Sequence, residues 1–263
     1  YCLKQDEAFL KEDIKIAVIQ GNIPQDMKWE SGHESVIMEK YIQLTRKAAL
    51  KEPELVIWPE TSFPWYMWEN PERFEELKDF VSELKIPLLV GAVTRIDGQY
   101  YNSAFLISAQ GKVIQRYDKL HLVPFGEYIP LRGLFPFLED IVPIADFTAG
   151  REYTIFSNPK GSFAVLICFE DTVAWLSRQF TQKGAGLLVN ITNDAWFGDT
   201  KEPFMHLQAA VFRTIENRKT LVRAANTGVS GVIDSQGRIR ETVRDRTGKT
   251  TYVDGYTTAK VQL

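Results

Sequence analysis

Short apolar runs of strand type alternate with amphipathic helical segments along this chain, and this alternation limits the folds open to it. Residues 14–20, IKIAVIQ, predict a buried strand that is closed by Gly21 and Pro24. Residues 33–51 place apolar side chains at helical spacing, and residues 54–59 predict the next strand. The order of strand, helix and strand indicates an α/β protein in which helices cover a sheet.

The rest of the chain continues the alternation and adds a hairpin. Residues 101–108 and 112–117 predict two antiparallel strands, because the turn at residues 109–111 between them has hairpin length. Further strands are predicted at residues 87–94, 153–156, 162–168, 187–192, 220–225 and 228–234 and near Tyr252, and helices at residues 71–84, 171–183 and 203–219. This mixture favours a mixed sheet covered by helices, and two such sheets can stack face to face.

The length and the charge of the chain limit the number of domains and the kinds of partner that we expect. A chain of 263 residues suffices for one large α/β domain, which we place at residues 14–263 after a polar linker or lead-in at residues 1–13. The formal charge of -3 offers no large attraction for nucleic acid, which we exclude as a partner. No segment approaches the roughly 18 consecutive apolar residues that span a bilayer. The chain begins with Tyr1 rather than methionine, which suggests a domain cut from a longer protein.

The cysteines and histidines predict neither a disulfide framework nor a zinc site. Cys2 lies near the terminus and Cys168 in an apolar strand, so the two thiols are too differently placed to suggest a pair. The chain has three histidines, without zinc spacing, and no glycine-rich phosphate loop. We therefore predict no metal and no cofactor.

Three polar residues lie at the ends of separate predicted strands. They are Glu60 in VIWPETSFPW, Lys119 in RYDKLHLVPFGEY and Cys168 in SFAVLICFED. Loops at strand ends concentrate the sites of α/β folds, because the strand fixes the backbone while the side chain reaches into the crevice. Taken singly, each residue has a simpler interpretation, since an apolar-flanked cysteine is usually a core residue and a loop charge is usually solvated. The sequence alone leaves open whether the three converge.

Together, the three residues would supply complementary chemistry. A thiol with an ordinary pKa of about 8.5 is mostly protonated near neutrality, and Glu60 in a dry pocket would have a pKa raised enough to act as its base. Lys119 and one backbone N–H after Cys168 would hold a developing oxyanion, a type of contact that contributes roughly 3 kcal/mol or more. Such a set predicts acyl transfer through a thioester on Cys168.

Six motifs of the chain resemble those of the nitrilase, or carbon-nitrogen hydrolase, superfamily. They are QGNIPQDMKW (residues 20–29), WPET (58–61), YDKLHLVPFGEY (117–128), ICFED (167–171), NITNDAWFG (190–198) and RAANTGVSGVID (223–234). More closely, they resemble the apolipoprotein N-acyltransferase branch of that superfamily. The resemblance extends from Ile14 to about Val243.

The resemblance implies a fold and a set of site residues. It implies a single-domain, nitrilase-like αββα sandwich with a Glu-Lys-Cys triad at Glu60, Lys119 and Cys168. It also implies that Glu127 acts as a second acid holding charge and geometry, and that Glu170 organises the loop of the nucleophile. Without the resemblance, we would interpret Glu127 as a member of a loop salt bridge.

Two aromatic positions carry further expectations from the resemblance. Trp196, in NDAWFG, would lie close to the acyl pocket, whereas without the resemblance it would be interpreted as a core aromatic. Members of the branch often have tyrosine directly after the nucleophile, where this chain has Phe169. The hydroxyl is lost, but the backbone N–H that the oxyanion hole would use remains.

The resemblance also implies substrates and a location. The acyl donor would be a phospholipid and the acceptor the α-amine of the diacylglyceryl cysteine of an apolipoprotein. The catalytic domain would face the periplasm from the bacterial inner membrane, held at the membrane surface or by flanking transmembrane helices outside this chain. Aromatic segments at residues 63–68 and 131–144 would suit lipid contact if exposed and the core if folded inward.

Two alternatives remain open at this point. One is a soluble, cytoplasmic amidase of the same superfamily, in which water resolves the same thioester. The other is a non-enzymatic module that uses the fold to bind a partner. The acyltransferase and the amidase would share the triad, so only the loops of the acyl pocket and the membrane segments would discriminate between those two functions.

Overall fold

The computed structural model describes residues 13–29, 32–67, 69–130 and 146–263. The predicted lead-in lies outside these residues apart from Asp13, which is the first residue of a strand. The aromatic segment noted at residues 131–144 also lies outside them. All elements named below belong to the described residues.

The first of two six-stranded sheets combines parallel and antiparallel pairing. Its strands are β1 (Asp13–Gln20), β2 (Leu55–Ile57), β3 (Leu88–Ile96), β4 (Gln99–Ile107), β5 (Val113–Asp118) and β12 (Gly255–Gln262). They lie in the order β12-β1-β2-β3-β4-β5. The central pairs β1/β2 and β2/β3 are parallel, and the pairs toward both edges are antiparallel.

The second sheet repeats this plan. Its strands are β6 (Phe156–Asn158), β7 (Gly161–Ile167), β8 (Leu187–Thr192), β9 (Leu221–Ala225), β10 (Gly231–Ile233) and β11 (Ile239–Thr242). They lie in the order β11-β10-β9-β8-β7-β6, with β7, β8 and β9 parallel. Antiparallel pairs again close both edges. The predicted mixed sheets are therefore confirmed.

Helices cover the outer face of each sheet. They are α1 (Gln25–Trp29), α2 (Glu34–Ala49), α3 (Pro71–Leu84), α4 (Ala174–Gln182) and α5 (Glu202–Asn217). Strand β1 shows the layering, because successive side chains point to opposite faces of a sheet. Ile16 and Val18 join the core shared with the second sheet and with α4 and α5, whereas Ala17 and Ile19 pack with α2 and α3. The predicted αββα sandwich is confirmed.

Several strand predictions near the sheet edges are wrong in their bounds. Of residues 153–156, only Phe156 belongs to β6, and of residues 228–234 only Gly231–Ile233 form β10. Tyr252 lies in a bend with a φ of +53°, and the C-terminal strand β12 begins three residues later. Strand β11 was not predicted, because its side chains are largely exposed and show no apolar alternation.

The aromatic segment at residues 63–68 folds mostly inward. Phe63 and Met67 are 2% and 0% exposed and belong to the core beneath α3, whereas Tyr66 is 40% exposed. Trp68 lies outside the described residues. Most of this segment therefore serves the core. Within the described ranges, no helix has both the length and the apolar character that crossing a bilayer requires.

Candidate active site

Cys168 stands at the carboxyl end of β7, where the chain turns sharply. It begins a short 3₁₀ helix at Cys168–Thr172, which we call the nucleophile turn, and its φ is +53°. Left-handed backbone is uncommon for a residue with a side chain and persists only where the surroundings hold it, often at functional sites. Asn190 on β8 contributes to this hold, since its Nδ2 donates to the carbonyl oxygen of Cys168 over 3.0 Å.

The environment of Cys168 keeps its sulfur protonated. Burial and the negative charge of Glu60 raise the pKa of the thiol well above its ordinary value, against the opposing positive charge of Lys119. The side chain is 8% exposed. The resting group is therefore a thiol that needs a base before it can attack a carbonyl carbon.

Glu60 follows the end of β2 by three residues and is fixed through both carboxylate oxygens. Asn102 Nδ2 donates to Oε1 over 2.7 Å, and the backbone N–H of Asn193 donates to Oε2 over 2.8 Å. The chain passes close to β3 here, because a Cβ added to Gly91 would lie 2.5 Å from the carbonyl oxygen of Pro59. The carboxylate is thus held between Asn102 on β4 and the backbone of Asn193, which directly follows β8 of the second sheet.

Lys119 directly follows β5 and forms a buried ion pair with Glu127. Its Nζ lies 2.9 Å from Glu127 Oε1 and 2.8 Å from Oε2. Burial lowers the pKa of Lys119, but the charges of Cys168, Glu60 and Glu127 together hold it above its ordinary value. Lys119 is therefore a permanent cation beside the thiol.

Asn102 links the two carboxylates of the site. Its Nδ2 donates to Glu60 Oε1 and also, over 3.0 Å, to Glu127 Oε1. Since both partners are acceptors, the amide nitrogen must face them, which fixes the orientation of the side chain. The carboxylates of Glu60 and Glu127 therefore face a common donor on β4.

A cavity of about 310 Å³ opens beside these groups. Its polar lining includes Glu60, Lys119, Cys168, Asn102 and Glu127, and its apolar lining includes Val123, Phe125, Phe147, Phe169, Trp196 and Phe197. Trp196 is 63% exposed, so it faces solvent as well as the cavity and is not a core aromatic. The cavity thus joins a reactive polar end to aromatic walls, as small-molecule sites commonly do.

Glu170 is a fully buried residue of the nucleophile turn and joins two segments of the chain. Its carboxylate accepts hydrogen bonds from the Tyr117 hydroxyl and from the backbone N–H groups of Leu120, His121 and Ile167, at 2.7 to 3.0 Å. Burial raises the pKa of Glu170 to about 7, although the Ile167 N–H and the charge of Lys119 act in the opposite direction. The side chain ties the nucleophile turn to the segment that carries Lys119.

Glu170→Gln is expected to destabilise the fold by about 2 to 4 kcal/mol, because the new amide N–H₂ would face donors instead of accepting from them. Denaturant unfolding near neutral pH measures this loss. Glu72→Gln, on the exposed side of α3, is the matched control and should change stability by less than about 0.5 kcal/mol. Equal stability of both variants would show that the Glu170 carboxylate does not hold the two segments together.

The sequence pattern of the carbon-nitrogen hydrolases matches residues 15–258 of this chain. The chain belongs to the carbon-nitrogen hydrolase family. Among curated proteins it is 45% identical over 232 residues to the apolipoprotein N-acyltransferase of Geobacter metallireducens, covering 86% of this chain and 44% of that protein. It is 37% identical over 243 residues to the enzyme of that name from Brucella melitensis, again covering 86% and 44%. The chain spans less than half the length of these relatives.

Solved structures show the same fold. An amidase from Nesterenkonia sp. superposes with a TM-score of 0.71 at 18% identity, covering 96% of this chain and 91% of that one. Saccharomyces cerevisiae Nit3, a member of branch 10 of the nitrilase superfamily, gives 0.70 at 17% identity, covering 95% and 90%. At such low identity the likeness establishes the sandwich and nothing about substrates.

This carbon-nitrogen hydrolase places all three predicted triad residues at one cavity, and Glu127, Phe169 and Trp196 line it too. Glu170 belongs to the nucleophile turn but is not part of the cavity lining. Asn102, Asn193 and Lys28 were not singled out from the sequence. Asn102 lies in the middle of a strand, where the sequence pattern does not mark it as a site residue. Asn193 and Lys28 both lie in motifs that carry the family resemblance, NITNDAWFG and QGNIPQDMKW. Among the described residues, no group of His, Cys, Asp and Glu side chains is arranged to hold a metal ion.

Lys28, on α1, is a second buried lysine behind Glu60. Its Nζ donates to the backbone carbonyl oxygen of Glu60 over 3.1 Å. Burial lowers the pKa of Lys28 to about 8, against the negative charges of Glu60 and Cys168, which raise it. The charged ammonium therefore lowers the stability of the fold near neutral pH, and it adds positive charge close to Glu60 and Cys168.

Lys28→Met is expected to raise the free energy of unfolding by about 1 to 3 kcal/mol at pH 7, because the buried charge is removed. The parent's stability should rise with pH between about 8 and the unfolded-chain value of about 10.4, since only the unfolded state stays protonated there. The gain from the substitution should therefore shrink over that window. Lys47→Met, exposed on α2, serves as the control, and a loss of stability in Lys28→Met would contradict the expectation.

Proposed function

We propose that this chain is the catalytic domain of an apolipoprotein N-acyltransferase. One observation carries the proposal: Glu60, Lys119 and the buried thiol of Cys168 line the polar end of one cavity that also has aromatic and aliphatic walls. The relatives of that name support the choice of branch. Because the chain spans less than half of their length, the complete activity, the substrates and the location are all part of the proposal.

In the first half-reaction, Cys168 takes an acyl group from a phospholipid. Glu60 accepts the thiol proton as Sγ attacks the ester carbonyl carbon, and Lys119 with the backbone N–H of Phe169 holds the tetrahedral oxyanion. When the oxyanion collapses, the carbon–oxygen bond to glycerol breaks and Glu60 returns its proton to the leaving alkoxide. Lysophospholipid departs, and a thioester remains on Cys168.

In the second half-reaction, an amine resolves the thioester. The α-amine of a diacylglyceryl cysteine attacks the thioester carbonyl carbon, and Glu60 accepts the amine proton. Collapse of the second oxyanion breaks the carbon–sulfur bond, and the thiolate recovers its proton from Glu60. The products are an N-acylated lipoprotein and the resting thiol, so every atom and proton is accounted for.

The remaining predicted residues have supporting roles in this proposal. Glu127 holds Lys119 in place through the ion pair, and Glu170 holds the nucleophile turn against the segment of Lys119. Trp196, with the aromatic walls of the cavity, contacts the acyl chain. The proposal places the domain at the periplasmic face of the bacterial inner membrane, where both lipid substrates are found.

Transfer of a labelled acyl chain tests the proposal against the amidase alternative. The protein is mixed with a phospholipid that carries a labelled acyl chain and with a synthetic diacylglyceryl lipopeptide, in detergent micelles. We expect the label to appear as an amide on the lipopeptide and to need its free α-amine. An α-N-acetylated lipopeptide is the matched control. Hydrolysis of small amides without any transfer to the lipopeptide would favour the amidase instead.

A further inference from the structure

A cluster of buried charges outside the cavity lining connects to the nucleophile turn. It consists of Asp171, Asp194, His206 and Arg223, and each of these side chains is 0% exposed. The two aspartates belong to different turns, His206 to α5 and Arg223 to β9. None of these residues has a role in the two half-reactions.

His206 bridges the two turns that flank the thiol. Its Nε2 lies 2.8 Å from Oδ1 of Asp171, in the nucleophile turn, and its Nδ1 lies 3.0 Å from Oδ1 of Asp194. Asp194 begins the 3₁₀ helix Asp194–Phe197, which we call the second turn, and it directly follows Asn193, whose N–H donates to Glu60. One imidazole therefore links the turn of the nucleophile to the turn that holds the proposed base.

The same ring also supports the proposed oxyanion residue. The imidazole of His206 stacks on the phenyl ring of Phe169, with 4.8 Å between centroids and 14° between planes. Phe169 makes an edge contact with Phe197 at the end of the second turn, at 5.7 Å. A shift of the imidazole would thus act on the position of Phe169 as well as on both aspartates.

The charges around the imidazole favour its doubly protonated form. Burial and the guanidinium of Arg223, whose Nη2 lies 2.9 Å from Nδ1, lower the pKa of His206, but Asp171 and Asp194 raise it to about 9. Glu202, on the same helix, adds a further negative charge. Without the imidazolium, the two aspartates and Arg223 would leave a net charge of about -1 in a dry site, and the imidazolium brings the charge of these four groups to zero.

We propose that His206 is a positioning residue for the thiol chemistry at Cys168, and that it acts as an imidazolium whose two N–H groups join the nucleophile turn to the second turn. The inference rests on the proposed function only in needing Cys168 to be acylated. A neutral imidazole carries one N–H and can donate to only one of the two aspartates, so deprotonation removes one of the ring's two links. The aspartate that loses this link keeps its ion pair with Arg223, which lies 2.8 Å from Asp171 and 3.1 Å from Asp194. Acylation should therefore fall as the pH rises through about 9.

Acylation by p-nitrophenyl butyrate tests the inference without any lipid acceptor. The burst of p-nitrophenolate reports one thioester per chain for a transferase and for an amidase alike. For the parent protein we expect a burst rate that declines above about pH 9. For His206→Gln we expect a rate about 10- to 100-fold lower, as small displacements of reacting groups cause, and no decline at alkaline pH. His33→Gln, at the start of α2, is the control and should keep the parent's profile.

The protonation state is measured separately by ¹⁵N NMR of the imidazole. The resonances of His206 are assigned as those lost in His206→Gln, and we expect both ring nitrogens to carry protons at pH 8. A neutral ring at pH 7, with Nδ1 accepting from Arg223, would overturn the inference. So would a His206→Gln variant that is slower or less stable but keeps the alkaline decline. A burst without any transfer to lipopeptide would instead contradict the proposed function alone.

Discussion

Cys168→Ala is expected to abolish acyl-enzyme formation and to lower acyl transfer by about 10⁴- to 10⁶-fold, as the loss of a nucleophile does in other acyl-transfer enzymes. The sulfur of Cys168 forms the thioester bond in the first half-reaction, and the second half-reaction breaks that bond. The fold should tolerate the change, because the substitution removes a single sulfur atom from a side chain that is 8% exposed and borders the cavity. We expect a change in stability of about 1 kcal/mol.

The activity of Cys168→Ala is measured as transfer of labelled acyl chains, with thermal unfolding as the check on the fold. Cys2→Ala is the matched control, since it removes the other cysteine of the chain and should leave transfer unchanged. Equal activity of Cys168→Ala and the parent in acyl transfer would contradict the thioester route. Transfer at the background level in both proteins would favour a module that binds a partner without catalysis.

Lys119→Met should be harmful to both stability and activity. The lysine is 1% exposed and pairs with Glu127, so its loss leaves a buried carboxylate without its cation, which costs about 3 to 5 kcal/mol. Acyl transfer should fall by about 10³-fold with the loss of an oxyanion partner. The pKa of Cys168, which Lys119 lowers, should rise further, so that the thiol becomes still harder to ionise.

The double variant Lys119→Met with Glu127→Gln separates the two effects. Removing the carboxylate charge as well should restore most of the lost stability, because the uncompensated charge is gone, while acyl transfer stays low. Urea unfolding of the two single variants and the double variant measures the coupling energy. A double variant as unstable as the sum of both single changes would show that the ion pair does not contribute to the fold.

The strand ends that carry Glu60, Lys119 and Cys168 could be identified from the sequence pattern, whereas the triad itself was implied by the family motifs. Glu60 and Cys168 follow strands that are mostly buried, where strand signals are strong, whereas Lys119 follows the edge strand β5, most of whose residues are partly exposed. The carboxyl ends of such strands are the usual place for a site in this fold class. That these three ends meet at one cavity depends on how the two sheets stack, and no local pattern encodes that stacking.

Other parts of the site needed more than a pattern. Glu127 and Glu170 were predicted only through the family motifs, since charges in loops are ordinarily solvated. Asn102 and His206 were missed, because a polar residue in a strand or helix gives no sign of what its side chain will face after packing. The edge strands β11 and β12 were missed or misplaced for the opposite reason, since their exposed positions carry little apolar periodicity.

The phenylalanine after the nucleophile packs against two neighbouring rings. The ring of Phe169 lies between the imidazole of His206 and the ring of Phe197, and it lines the cavity. A phenyl ring fits between these two rings. The backbone N–H that is assigned to the oxyanion does not depend on the side chain. The departure from tyrosine therefore leaves the proposed chemistry of the nucleophile turn intact.

Mass spectrometry of the acylated protein tests the central claim most directly. The protein is incubated with a phospholipid carrying an isotope-labelled acyl chain, quenched in acid and digested. We predict one labelled acyl group per chain, on the peptide that contains Cys168, removed by neutral hydroxylamine and by a diacylglyceryl lipopeptide. An acyl group on another residue, or no labelled group on Cys168 under conditions where the lipopeptide becomes acylated, would contradict the claim.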